Sequence, residues 1–171
     1  SYPDPFTTEL CSAVAERHGI DAEHILCGNG SSELMAGLLR VLGVNRAVIP
    51  SPAYIGYREA AAAAGLPVVV SPLTETHGVD WEALSRMLQP GDVVFLGHPA
   101  NPTGRLLDGD ALRSICAEWP GCHFVVDESF LDFVEGGDEL SLVLEQPVNV
   151  TVLRSMTKFY AIPGLRLGYL V

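Results

Sequence analysis

Apolar residues recur along this chain in two alternating patterns. Segments with an apolar face of helical period run over 8–18, 31–42, 54–64, 81–88 and 109–118. Gly19 and Gly43 stand just past the first two, where helices commonly end, and Gly65 closes the alanine run at 60–64. Between these segments lie short β-rich runs at 24–27, 46–50, 68–71, 93–97, 124–127, 150–153 and 167–171. Val93-Val94-Phe95-Leu96 and Phe124-Val125-Val126 are continuously apolar instead of alternating. A strand needs apolar side chains on both sides when helices cover both faces of its sheet. The pattern therefore predicts a three-layer α/β/α fold with a mostly parallel, seven-stranded sheet, spanning 1–171 as one domain. The turn between the last two runs is too short for a helical crossover, so the final strand is expected to run antiparallel.

Composition narrows what such a domain can do. The chain is 48% hydrophobic and 18% charged, which fits a globular protein. Its net charge of −11 argues against a nucleic-acid surface. The most apolar stretch, 60–70, is too short to span a bilayer and is broken by Gly65 and Pro67, so a cytoplasmic protein is expected. Cys11, Cys27, Cys116 and Cys122 form no C-x-x-C pair and no zinc-like spacing with histidine. They read as buried free thiols, with no metal site.

One feature of the charge inventory stands out. Of the ten basic residues only Lys158 is a lysine. A lysine amine, unlike a guanidinium, can lose its proton and condense with an aldehyde. Its neighbours Ser155 and Thr157, with Arg166 eight residues on, make an anion-binding surround.

Other polar clusters follow the predicted strands, on the rim where α/β sheets bind ligands. Gly28-Asn29-Gly30-Ser31-Ser32 enters a helix, either as a phosphate cup or as a simple cap. It is neither a dinucleotide fingerprint nor a P-loop. Asp127 ends an apolar strand and needs a partner or a shifted pKa. Asn101, held extended by Pro102, can aim its amide or simply form a turn. Tyr54 offers a stacking face or ordinary packing. Together these are the groups that pyridoxal phosphate requires.

Asn101-Pro102-Thr103-Gly104, Asp127-Glu128 and Ser155-Met156-Thr157-Lys158 with Arg166 resemble fold-type I pyridoxal-phosphate enzymes of the class I/II aminotransferase group, in order and spacing. The resemblance covers the chain from Tyr2-Pro3-Asp4-Pro5 to Tyr169. It implies that Lys158 binds pyridoxal 5′-phosphate covalently and then moves protons. Asp127 would hold the ring nitrogen protonated, Asn101 would donate to the phenolate oxygen, and Tyr54 would stack on the ring. Gly30, Ser31, Ser32, Ser155, Thr157 and Arg166 would bind the phosphate. Tyr2 would reach the phosphate of a neighbouring subunit, which implies a homodimer.

Two branches of the group compete. Histidinol-phosphate aminotransferases usually carry a tyrosine where this chain has Phe130. The stretches 127–133 and 157–169 are more similar to L-threonine-O-3-phosphate decarboxylases of cobalamin biosynthesis, which form 1-amino-2-propanol phosphate. That branch is favoured, with a transaminase or a non-catalytic domain of the same fold as the alternatives. The residues that grip the substrate in this group lie before Tyr2 or in a C-terminal small domain. The chain is thus expected to be part of a protein roughly twice as long.

Overall fold

The computed structural model describes residues 2, 4–145 and 147–171. In chain order the elements are α1 (Thr8–His18), β1 (Leu26–Gly28), α2 (Ser31–Leu42), β2 (Arg46–Pro50), α3 (Ile55–Ala63), β3 (Val68–Ser71), α4 (Trp81–Met87), β4 (Asp92–Gly97), α5 (Gly109–Glu118), β5 (His123–Asp127), α6 (Gly137–Leu140), β6 (Val150–Ser155) and β7 (Gly168–Leu170). The strands form one sheet in the order β1-β7-β6-β5-β4-β2-β3. β2 to β6 are mutually parallel, and β7 runs antiparallel between β6 and β1.

The unalternated strands are explained by burial on both faces. In β4, Val93 and Phe95 join one core cluster while Val94 and Leu96 join the other. The first core packs under α2 and α3 through Leu34, Met35, Leu39, Tyr57 and Ala61. The second packs under α4 and α5 through Leu84, Leu112 and Ile115. The central strands β2, β4 and β5 thus remove nearly all of their apolar surface from water, the main driving force for the layered fold, while the edge strands β1 and β3 keep Leu26 and Val70 exposed.

Helix ends follow local chemistry. Gly19 and Gly43 take left-handed conformations (φ 67° and 63°) that close α1 and α2. Asp80 and Asp108 cap α4 and α5 by accepting from Ala83 N–H (2.9 Å) and Ala111 N–H (3.0 Å).

The first strand differs from its expected position. The segment Ala22–His24 forms a 3₁₀ turn, with His24 and Ile25 N–H bonded back to Asp21 and Ala22. That turn takes His24 out of the ladder, and β1 pairs with β7 only from Leu26 to Gly28. The path over 128–145, with α6 and 3₁₀ turns at Leu131–Phe133 and Leu142–Leu144, carries no sequence periodicity and is organised by tertiary contacts of Glu128 and Arg154.

The strand order reverses where β2 is flanked by both β3 and β4. The chain leaves β2 outward for β3, then returns to the other side of β2 for β4. Loops after β2 and β4 diverge there and open a crevice at the carboxyl rim.

Candidate active site

Six of the residues singled out above meet in one cleft on that rim. Ser31, Tyr54, Asn101, Asp127, Phe130 and Lys158 line it, joined by Tyr57, Pro99 and Ser129. They arrive from the starts of α2 and α3 and from the loops after β4, β5 and β6.

Asp127 closes β5 and forms the cleft's buried floor. Burial pushes its carboxyl up from the usual range, while the Ser129 bonds, the Tyr57 hydroxyl and the Lys158 charge pull it back. Ser129 N–H donates to Oδ1 at 3.0 Å and Tyr57 OH to Oδ2 at 2.8 Å. A carboxylate has room for about four such bonds, so Asp127 keeps accepting capacity toward the cleft.

Sequence reasoning missed Tyr57. Its ring stacks flat on Phe95 at 5.2 Å and 9°, and burial pushes its phenol well above the ordinary value, so it remains a donor. Tyr54 meets it edge-on at 5.5 Å. The signal was present: Tyr57 lies one helical turn beyond Tyr54 on the same face. Gly56 makes the arrangement possible, since a methyl group there would overlap the Tyr54 ring.

Tyr57→Phe should therefore destabilise the protein at neutral pH by about 1.5–3 kcal/mol, the worth of a hydrogen bond to a charged group. The loss has a defined pH dependence. Asp127 has a raised folded pKa, so its ionised form is the disfavoured one, and stability falls as pH rises from 3.8 through the folded value. Removing the donor raises that folded value further and enlarges the penalty above it. Urea titrations should show a smaller deficit in mildly acidic buffer than at neutral pH; a deficit independent of pH would contradict the bond.

At the next strand end, Lys158 Nζ lies 3.3 Å from Thr157 Oγ1, which is 2.8 Å from Ser155 Oγ. Both hydroxyls are buried. They form a polar relay that leads from the sheet to the amine.

The anion side is only partly assembled in one place. Gly30 caps α2 with φ 89°, and a side chain there would press on the Arg166 guanidinium at 3.1 Å. Arg166 is exposed, donates to Pro163 carbonyl at 3.4 Å and lines a different groove, with Gly28 and Asn29, from the cleft that holds Lys158. Ser32 is exposed on the first turn of α2 and is not among the residues lining the cleft. Tyr2 is 98% exposed and is not among the residues lining this cleft.

Directly behind the rim lies a buried charge network that the sequence did not reveal. Glu128 and Arg154 follow Asp127 and precede Ser155, and so fall on the opposite face of the sheet. Arg154 donates from Nε to Glu128 Oε2 at 2.9 Å, from Nη2 to Ser141 Oγ at 3.0 Å and from Nη1 to Asp132 Oδ1 at 3.2 Å. Glu128 also accepts from Ser141 OH at 2.7 Å and Leu142 N–H at 2.8 Å. Burial raises its carboxyl, and the Arg154 charge opposes that. His98 is locked similarly: Nδ1 accepts from Leu107 N–H at 2.9 Å, so Nε2–H donates to Leu140 carbonyl at 3.1 Å. Burial lowers its pKa, and it stays neutral.

A parallel α/β sheet with a lysine, a buried aspartate and an aromatic wall on its carboxyl rim defines a class of protein. The family model for aminotransferase class I and II matches residues 1–171, and the chain belongs to that family. It is 38% identical to the adenosylcobalamin biosynthesis bifunctional protein of Leptospira interrogans, over 98% of this chain and 20% of that protein. It is 38% identical to threonine-phosphate decarboxylase of Salmonella typhimurium, over 99% of this chain and 48% of that protein. The crystal structure of histidinol-phosphate aminotransferase from Sinorhizobium meliloti, in complex with pyridoxal-5′-phosphate, superposes with a TM-score of 0.83 at 25% identity. That match covers 100% of this chain and 48% of the solved one. The chain therefore spans about half the length of these relatives, and a fifth of the bifunctional protein.

The residues present fit pyridoxal 5′-phosphate. Lys158 supplies the amine, Asp127 an acceptor with spare capacity, Asn101 an amide at the wall and Tyr54 a ring face. Ser31 opens a helix whose first N–H groups are free of intrahelical partners, next to Gly30 and Arg166.

Proposed function

We propose that this chain is the cofactor-binding part of a pyridoxal-phosphate-dependent enzyme that decarboxylates L-threonine O-3-phosphate. The observation that carries the reading is the convergence of Lys158, Asp127, Asn101 and Tyr54 on one cleft that Phe130 also lines. When bound, the cofactor would supply an aldehyde for the amine and an electron-accepting ring. Lys158 would hold it and later carry protons at Nζ, with Thr157 and Ser155 orienting the amine. Asp127 would keep a proton on the ring nitrogen, itself held in place by Tyr57 and Ser129. Asn101 would donate to the phenolate oxygen and Tyr54 would cover one ring face. Ser31, Ser32, Gly30, Ser155, Thr157 and Arg166 would take the phosphate, with Tyr2 of a second copy completing the site in a homodimer.

Phe130 favours the decarboxylase over the transaminase. Its ring packs at 6.3 Å and 36° against Phe133 and presents only carbon to the cleft. Phe130→Tyr should lower the pH at which the cofactor's visible band titrates, by at most about one to two units, because a phenol stabilises the deprotonated, negative form. An unchanged or raised midpoint in a spectrophotometric titration would show that residue 130 does not face the cofactor oxygen.

The function itself is tested with the complete protein. Carbon dioxide release from threonine phosphate, without need of an oxo-acid acceptor, is expected. Stoichiometric amino transfer from histidinol phosphate to an oxo acid, with no carbon dioxide from threonine phosphate, would favour the histidinol-phosphate aminotransferase reading.

A further inference from the structure

Two cysteines with no part in the chemistry above face each other at the edge of the sheet. Cys11 lies near the start of α1 and Cys27 is the middle residue of β1, 16 positions later. Their sulfurs are 3.7 Å apart, in van der Waals contact, and both residues are half-buried. Cys116, on the buried face of α5, and Cys122 lie instead in the core. All four cysteines were expected to be buried free thiols; this pair departs from that because α1 only partly covers the edge strand.

The elements carrying the pair can adjust to form a bond. Closing the sulfurs to a bonded separation of about 2.0 Å requires roughly 1.7 Å of relative motion. Among the described residues, strand β1 pairs on one side only, with β7. Helix α1 is held by a small cluster in which Val14, Ala15, Ile25 and Tyr169 are the buried members. A groove of about 560 Å³, lined in part by Thr7, Cys27, Asn29 and Arg166, gives a small molecule access beside Cys27.

We propose that Cys11 and Cys27 form a dithiol–disulfide site that reacts with small-molecule disulfides of the glutathione type. The Cys11 thiolate attacks one sulfur of the reagent, whose S–S bond breaks and releases one thiolate. Cys11 then carries a mixed disulfide. Cys27, after losing its proton, attacks the Cys11 sulfur and expels the second thiolate. Two protein thiols are oxidised, one reagent disulfide is reduced to two thiols, and the two protein protons end on the thiolates released. Sulfurs 3.7 Å apart permit this sequence, and burial, then the neighbouring Cys11, holds the Cys27 thiol up to about 12 until Cys11 is capped. Capping Cys11 removes part of that burden and leaves Cys27 to resolve the mixed disulfide. The bond would fasten α1 to the strand that leads into Gly28-Asn29-Gly30.

The test needs no activity measurement and does not depend on the assigned function. The complete protein is incubated natively with oxidised glutathione and examined by intact mass and peptide mapping. The expected result is loss of two hydrogens, a Cys11–Cys27 cross-linked peptide and a higher unfolding midpoint that dithiothreitol reverses. Cys27→Ser, a near-isosteric change, should stop at one glutathione adduct on Cys11. Wild-type protein that gives only mixed adducts, no reaction, or a cross-link through Cys116, Cys122 or a second molecule would overturn the proposal.

Discussion

Replacing Asp127 with asparagine should leave the fold and covalent cofactor attachment intact while cutting turnover by about 10²–10⁴-fold, the usual worth of a positioned proton-handling group. The amide fits the same space: its oxygen can accept from Ser129 N–H, and its nitrogen can donate to the Tyr57 hydroxyl oxygen. What is lost is charge. Burial raises the Asp127 carboxyl, and Ser129, Tyr57 and Lys158 all favour its anion against that cost. A neutral amide cannot hold a proton on a ring nitrogen. The check is kcat at saturating cofactor together with the visible spectrum of the loaded variant. Near-normal turnover would make Asp127 a structural cap only.

Glu128→Ala should destabilise the protein by about 3–5 kcal/mol, the cost of stranding one member of a buried ion pair. The side chains of Glu128 and Arg154 are 0% and 3% exposed, so water cannot replace the missing carboxylate. Arg154 would keep Asp132 and Ser141 but lose its closest charge. The double variant Glu128→Leu/Arg154→Met should recover much of the loss, because two apolar side chains carry no desolvation cost. Urea unfolding of the single and double variants measures both effects. A single-variant loss below about 1 kcal/mol would mean the network is more open to water than the geometry indicates.

Much of this molecule was legible in the chain because its local signals agree with one another. Apolar periodicity, terminal glycines and unalternated strands all point to helices on both faces of a parallel sheet. The short turn before 167–171 marked the antiparallel β7 for the same reason. The boundaries of β1 escaped because an edge strand with one partner leaves a weak pattern, and the 3₁₀ turn at Ala22–His24 competes for the same backbone groups. The path over 128–145 escaped because Glu128, Arg154, Asp132 and Ser141 organise it, and ion pairs between distant residues leave no period. In the site, Lys158 was conspicuous by its rarity and Asp127 by ending an apolar strand. Tyr57 was hidden by reading α3 only for its apolar face, and Ser32 and Arg166 show that a motif's spacing does not place every member in one cleft.

The central claim is that Lys158 is the amine that holds pyridoxal 5′-phosphate, and one measurement addresses it directly. The complete protein is mixed with the cofactor, reduced with borohydride, digested and mapped by mass spectrometry, with Lys158→Arg alongside. The account predicts a visible band that reduction bleaches, a pyridoxyl group on Lys158, and neither in the variant, whose guanidinium stays protonated. A label on another residue, or an equal label in Lys158→Arg, would contradict it.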